Sequence, residues 1–255
     1  MKIDLNSDLG EGFGPYKLGD DQALLKIVTS ANIACGYHAG DAVIMDQTVR
    51  AAKASKADIG AHVGFPDRLG FGRHPMHMEL RELEKHVIYQ LGALYGIATA
   101  AGHKMTHMNF HGALGNMAFV DRELAEMLVN AVYSFDKDLI LLCLANTEFS
   151  KAAEKKGFRT ANVFLADRAY DDNGILVKRG LPGAVIKEPE AVTERVRQFL
   201  NDGSIISING KRLSTPIHTI LVHGDTPGSV TLARNIRNLI QHEGHDLTPL
   251  STMLA

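Results

Sequence analysis

The chain has 255 residues, close to the length of one α/β barrel, and 45% of its residues are hydrophobic, as in an ordinary globular protein. Its formal net charge is −2 and its sequence pI is about 6.6, so it has no strong field to attract nucleic acid or an anionic lipid surface. No stretch approaches about 18 consecutive apolar residues, the length that predicts a membrane-spanning helix. We therefore expect a globular protein without nucleic-acid or membrane partners.

Short apolar segments alternate with amphipathic helical segments, a pattern typical of βαβ units and a parallel sheet. In chain order, the predicted strands are 2–6, 30–34, 57–61, 105–109, 139–144, 162–166 and 219–223. The predicted helices are 41–55, 78–101, 122–133, 147–156, 190–201 and 228–242. A long loop (64–77) and an irregular region after Asp167 interrupt this alternation, and 204–215, centred on Asn209-Gly210, predicts a β-hairpin.

No internal repeat or Pro/Ser-rich linker divides the chain, so we predict one domain spanning 1–255. Cys35 and Cys143 both fall in predicted strands, which favours buried, reduced thiols over a disulfide. The first residues enter a strand pattern directly, without a leader pattern. We expect a cytoplasmic protein.

Polar residues beside glycine follow most of the predicted strands. In a parallel barrel the carboxyl ends of all strands open on one face, so these side chains should converge on one pocket. They include two acidic residues of the first strand end, Asp8 and Glu11, and four histidines from separate strand ends: His38, His62, His111 and His223. This convergence predicts the active site.

Several of these positions also have a structural interpretation. Asp41 could cap the helix that follows it, and Asp225 precedes Thr226-Pro227, a pattern typical of a helix start. We expect seven other histidines to be solvated surface groups: His74, His77, His86, His103, His107, His242 and His245.

Carboxylates and imidazoles together supply general acid–base catalysis near neutral pH. The same residue types bind divalent metals, and for a metal site the set would be Asp8, His38 and His62, although the spacings do not decide between the two chemistries. The sequence contains neither a Walker-type phosphate loop nor a dinucleotide fingerprint.

At these strand ends the chain resembles the LamB/YcsF family. The resemblance covers essentially the whole chain, in the family's order, through six motifs: DLNSDLGEGFG (4–14), SANIACGYHAGD (30–41), GAHVGFPD with GFGR (60–67, 70–73), HGAL (111–114), ADRAY (166–170) and VHGDTPG (222–228). Six motifs in register are highly specific for this family.

The resemblance implies an irregular seven-stranded (β/α) barrel, TIM-barrel-like and related to glycoside hydrolase and deacetylase barrels. It also implies ATP-coupled opening of the lactam of 5-oxo-L-proline to L-glutamate, with ATP and Mg²⁺ as co-substrate and with partner subunits B and C. We predict that the catalytic residues are Asp8, Glu11, His62 and His111. We predict that substrate or nucleotide contacts come from Asn6, His38, Asp41, Asn109, Arg168, His223 and Asp225.

One motif departs from the family pattern. The family usually carries Lys-Pro-His-Gly-Ala-Leu-Tyr at the fourth strand, and here Asn109 and Gly115 occupy the lysine and tyrosine positions. Asparagine keeps a hydrogen-bond donor but loses the positive charge, which bears on ATP use and on the substrate. Two alternatives are a metal-dependent amidohydrolase or carbohydrate deacetylase, and a non-catalytic binding subunit.

Overall fold

The computed structural model describes all residues, 1–255. Its strands are β1 (Lys2–Leu9), β2 (Ser30–Ala34), β3 (Asp58–Val63), β4 (Met105–Phe110), β5 (Ile140–Cys143), β6 (Arg159–Leu165), β7 (Ser204–Ile206), β8 (Arg212–Ser214), β9 (Thr219–His223) and β10 (Asp246–Leu247). Its helices are α1 (Asp21–Leu24), α2 (Ala42–Ser55), α3 (Leu80–Ala100), α4 (Gly112–Ala118), α5 (Arg122–Phe135), α6 (Glu148–Lys156), α7 (Pro189–Asp202), α8 (Ser229–His242) and α9 (Leu250–Met253).

Seven parallel strands close into a barrel in the order β1-β2-β3-β4-β5-β6-β9, and β9 pairs back onto β1. These are the seven strands predicted from the sequence, so the irregular seven-stranded barrel is confirmed. The predicted hairpin is confirmed as the antiparallel pair β7–β8. The sequence missed only short elements: α1, α4, α9 and β10.

The main hydrophobic core lies between the barrel strands and the surrounding helices and contains 59 buried residues. Amphipathic helices build it: α5, for example, buries Leu124, Leu128 and Val132 on one face. Cys35 and Cys143 are buried and unpaired, as expected, while the cytoplasmic location stays a prediction. None of the helices combines the length and the apolarity needed to cross a bilayer.

The inner face of the barrel is unusually polar along β1. Side chains alternate along a strand, and Asp4, Asn6 and Asp8 are buried on the inward-facing alternate positions. Asp4 lies deepest and accepts hydrogen bonds from the hydroxyls of Thr29, Ser30 and Thr219 at 2.5–2.6 Å. The barrel interior is therefore a layered polar network that leads toward the carboxyl ends of the strands.

His107 corrects the sequence analysis, which placed it among the solvated surface histidines. It lies on β4 and is fully buried in the barrel. The β3–β4 register shifts by one residue between Ile59 and Gly60, so that Gly60 pairs with His107. A Cβ at Gly60 would come within 2.2 Å of the imidazole, so the ring can occupy this position only because residue 60 is glycine.

The buried Asp4 predicts a pH dependence of stability. Burial, partly offset by the three hydroxyl donors, raises the pKa of Asp4 from 3.8 to about 6. The folded state therefore binds this proton more tightly than the unfolded state, and the contribution of Asp4 to stability falls as the pH rises through this window. Two pKa units correspond to about 3 kcal/mol, so the stability of D4N relative to the parent should rise by about that amount between about pH 3 and about pH 8, with roughly 2 kcal/mol of it between about pH 4 and about pH 6.

Urea unfolding of D4N and the parent at several pH values would measure this difference. Asp21, whose pKa burial also raises to about 6, titrates in both proteins and cancels in the comparison. The prediction would be contradicted if the difference in unfolding free energy between D4N and the parent did not change with pH.

Candidate active site

The strand register brings the polar strand ends together. Asp8 pairs with Asn32 of β2 on one side and with His223 of β9 on the other. Two strands further round the barrel, His62 of β3 pairs with Asn109 of β4. Of the six residues expected to converge, four line one cavity (Asp8, His62, His111 and His223), and Glu11 and His38 contact His111.

A polar column inside the barrel, formed by Asn6, Asn32 and His107, holds Asp8 from below. The Asn32 amide nitrogen donates to Asp8 Oδ1 at 2.8 Å and to Asn6 Oδ1 at 2.6 Å. The Asn32 amide oxygen lies 3.0 Å from His107 Nε2, which therefore carries the proton and donates. One Asp8 oxygen is thus fixed by the barrel, while the other faces the site.

The second polar group at the site is the Glu–His cluster, defined as Glu11, His38, His62 and His111. Glu11 Oε1 lies 3.2 Å from His38 Nε2, 3.9 Å from His62 Nε2 and 3.8 Å from His111 Nδ1. His62 Nε2 and His111 Nδ1 are 2.8 Å apart. The rings of His38 and His111 stack in parallel with their centroids 3.8 Å apart.

Burial controls the charge of this cluster. Loss of solvation, with the neighbouring Asp8 carboxylate, raises the pKa of Glu11 well above its ordinary value. Loss of solvation also holds the pKa of His38 and of His111 well below the ordinary histidine value, and the neighbouring histidines add to the effect. Both imidazoles are therefore neutral near pH 7.

The long loop between β3 and α3 covers the cluster. The carbonyl oxygen of Phe71 accepts a hydrogen bond from His111 Nε2 at 2.8 Å. Gly72 has a φ of 63°, and a Cβ there would lie 2.7 Å from His38 and 2.8 Å from His111, so the loop can approach both rings only with glycine at this position. Arg73 reaches across the rim to Asp225, 2.8 Å away.

His223 forms an ion-pair-like contact with Asp167, which follows the end of β6. Its Nδ1 lies 2.8 and 2.9 Å from the two carboxylate oxygens, and its Nε2 lies 4.0 Å from Asp8 Oδ2. Burial alone would lower the pKa of His223, but the charge and hydrogen bond of Asp167 outweigh it and raise the pKa. Burial would raise the pKa of Asp167, but His223 outweighs it and lowers the pKa.

A cavity of about 590 Å³ opens directly above these groups, which is within the range of about 300–1,000 Å³ for small-molecule sites. Its lining contains polar side chains, among them Asp8, His62, His111 and His223, and apolar side chains, among them Leu144 and Phe149. Lys178 and Arg179, from the irregular region after β6, add positive charge to the lining. Arg179 makes no hydrogen bond or ion pair, so its guanidinium is available to an anionic ligand.

The other predicted contact residues have structural partners. Asp41 caps α2, accepting from Val43, Ile44 and Gly14 backbone N–H groups, and does not join the Glu–His cluster. Arg168 lines the cavity, but its guanidinium donates to the carbonyls of Val177 and Ala184 and so holds the irregular region in place. Asn109 Oδ1, at the position where the resemblance implied lysine, lies 2.6 Å from His62 Nδ1 and orients that ring.

Fold and site together define a class of protein: a seven-stranded parallel α/β barrel with a buried histidine–carboxylate site at the carboxyl ends of its strands. Residues 3–255 match the family model of the LamB/YcsF family, and the chain belongs to this family.

Relatives match the chain over its full length. A protein of Pseudomonas syringae pv. tomato, named as a 5-oxoprolinase A subunit, is 56% identical, over 100% of this chain and 99% of that protein. The 5-oxoprolinase A subunit of Pyrococcus horikoshii is 45% identical, over 100% of both chains. A crystal structure described as a lactam utilization protein from Thermus thermophilus has a TM-score of 0.92 and 36% identity, covering 98% of this chain and 100% of that one.

Proposed function

We propose that this chain is the A subunit of a 5-oxoprolinase, a hydrolase that opens the cyclic amide 5-oxo-L-proline to L-glutamate. The observation that carries the proposal is the 56% identity, over the full length of both chains, to a protein named as the A subunit of this enzyme. Because the relatives are named as one subunit, we propose that the chain works with partner subunits B and C. We also propose that residues 1–255 act as one barrel domain.

The cavity suits a small cyclic amide with a carboxylate. Its volume of about 590 Å³ exceeds that of a five-membered lactam and leaves room for a phosphorylated form of the substrate. The free guanidinium of Arg179 suits a carboxylate or phosphoryl group, because arginine can bind either through two parallel hydrogen bonds. The apolar side chains of the lining suit the methylene groups of the ring.

An unstrained lactam reacts slowly with water, and phosphorylation by ATP would activate its carbonyl carbon for hydrolysis. In our proposal the γ-phosphoryl group of ATP, with Mg²⁺, moves to the lactam carbonyl oxygen and ADP leaves. Water then adds to the ring carbon, the C–N bond breaks, and the amine leaves with a proton, which gives an acyl phosphate. A second water molecule hydrolyses this acyl phosphate to glutamate and inorganic phosphate.

Two cavity-facing groups are placed to move these protons. Asp8 Oδ2 is the free oxygen of a carboxylate whose other oxygen is fixed by Asn32, so we assign Asp8 as the base that accepts the proton of water. Asp167 raises the pKa of His223 and so favours its protonated form, and we assign His223 as the acid that protonates the leaving nitrogen. His62 and His111 line the same cavity, and their N–H groups face Asn109 and Phe71, so we propose that they shape the site and do not transfer these protons.

The test is glutamate formation from 5-oxoproline with Mg-ATP, using this chain alone and then with its B and C partners. We expect turnover only when chain, partners and ATP are all present. The matched control replaces this chain with the 56%-identical relative from Pseudomonas syringae pv. tomato in the same mixture. Turnover with that relative but not with this chain would overturn the proposal, and ATP-independent turnover by this chain alone would instead support an amidohydrolase.

A further inference from the structure

We propose that the Glu–His cluster binds one divalent transition-metal ion, and that Zn²⁺ fits it best. The four ligand atoms are Glu11 Oε1, His38 Nε2, His62 Nε2 and His111 Nδ1, all within 4.8 Å of one another. The sequence analysis expected Asp8, His38 and His62 as the ligands. The structure retains His38 and His62 in this set, and Glu11 and His111 take the place of Asp8. Asp8 Oδ2 lies 3.6 Å from His62 Nε2, on the cavity side of the cluster.

The spacing of the four atoms matches a tetrahedral site. Metal–ligand bonds of 2.0–2.2 Å in a tetrahedron place the ligand atoms about 3.4 Å apart. The observed separations from Glu11 Oε1, 3.2, 3.8 and 3.9 Å, and the 2.8 Å between His62 and His111, lie on both sides of that value. Changes of about half an ångström in these separations would bring them to the tetrahedral value around a central ion.

The hydrogen bonds around the cluster leave two nitrogens that need a cation. His111 Nε2 faces the carbonyl oxygen of Phe71 and must donate, so Nδ1 of the neutral ring carries the lone pair. His62 Nδ1 faces the amide oxygen of Asn109 and must also donate, so its Nε2 carries the lone pair. The two nitrogens lie 2.8 Å apart, so two lone pairs would repel each other there unless a shared cation, a metal ion or a proton, lies between them.

The surroundings are those of a metal centre. A ligating histidine generally donates its other N–H to a carbonyl or carboxylate, and Asn109 and Phe71 provide such acceptors for His62 and His111. Three imidazoles and one carboxylate suit Zn²⁺, whereas Mg²⁺ prefers oxygen ligands and octahedral geometry. All four side chains are buried, so the bound ion would be shielded from solvent except through the cavity.

The test measures metal binding by the full-length chain alone. After removal of metal with a chelator, the protein is dialysed against Zn²⁺ or Mg²⁺, and bound metal is measured by mass spectrometry. We expect about one equivalent of Zn²⁺, no Mg²⁺, and a rise in the thermal midpoint with Zn²⁺. Co²⁺ in the same site should give the visible absorption of a four-coordinate ion.

Variants make the test specific to the cluster. E11Q and H38Q each remove one ligand and should weaken Zn²⁺ binding by more than about 100-fold, and N109A, which keeps all four ligands, should weaken it by about 10–100-fold. H223Q, which changes a histidine in the same cavity outside the ligand set, should bind Zn²⁺ like the parent. H74Q is a second control, because it removes an exposed histidine 3.1 Å from Asp67 that could bind zinc weakly.

Less than about 0.1 equivalent of Zn²⁺ on the parent, or equal affinity in the parent, E11Q and H38Q, would overturn the proposal. The metal site lies within the active site proposed above, but the measurement uses neither substrate nor partner subunits. A protein that binds no metal would therefore contradict the metal site but not the proposed lactam reaction. A protein that binds Zn²⁺ but gives no turnover would contradict the lactam reaction but not the metal site.

Discussion

Replacing Asp8 with asparagine will lower kcat for 5-oxoproline opening by about 10²–10⁴-fold and change KM little. Asparagine keeps the side-chain shape and an oxygen that can accept from Asn32, but it cannot take a proton from water. The loss should therefore fall on the chemical step. Steady-state kinetics in the reconstituted system, with thermal unfolding of each variant, would measure it.

The matched control is Asp58→Asn at the opposite end of the barrel. Asp58 starts β3 and accepts hydrogen bonds from Ser251 of α9, outside the cavity. D58N should lose stability because it weakens the hydrogen bonds from Ser251, but it should keep turnover within about twofold per folded molecule because Asp58 lies outside the cavity. A D8N protein that folds and retains more than about a tenth of the parent turnover would refute the role given to Asp8.

The second large effect concerns His223 and Asp167. H223Q will lower kcat by about 10²–10⁴-fold, because glutamine cannot donate a proton to the leaving nitrogen as an imidazolium does. D167N removes the charge that raises the pKa of His223, so that pKa will fall. An acid must be protonated to act, and the alkaline limb of the kcat/KM profile should therefore move to lower pH in D167N.

A purely structural role for Asp167 would lower activity equally at all pH values and leave the limb where it is. The pH profiles of parent and D167N thus separate the two explanations. If the alkaline limb stays in place while activity falls, His223 is not the acid, and the lost activity reflects disturbed packing at the end of β6.

The barrel was predictable because its strands are short apolar segments at regular intervals, separated by helices with clear apolar faces. The missed elements are too short for periodicity to indicate them: α1 and α9 have four residues each, and β10 has two. The hairpin β7–β8 was predictable because Asn209-Gly210 is a strong turn signal.

The convergence of the site was predictable for a topological reason, since parallel strands end on one face. The partners of each side chain were not, because they depend on register. The one-residue shift at Gly60 brings His107 into the barrel, and its place in the predicted strand 105–109 was a local signal against a surface position. An isolated glycine within a predicted strand was the available signal of a close approach.

Residues from irregular segments were the hardest to predict. Arg179 lies in a region without periodicity, and its place in the cavity depends on the contacts that Arg168 makes with Val177 and Ala184. Asn109 replaces a lysine of the family pattern, a change that in the sequence bears on ATP use and on the substrate. In the structure it orients His62, a role that the residue type alone does not reveal.

The polar column of Asn6, Asn32 and His107 limits how the stability of this barrel can be increased without loss of activity. Such barrels usually stack branched apolar residues at these interior positions, and buried hydrogen-bonded amides often contribute less to stability than apolar groups of similar size. Selection for heat resistance alone would therefore favour leucine or valine here and would leave Asp8 without its support. A more thermostable variant that remains active must therefore gain its extra stability from substitutions in the outer helices or the loops.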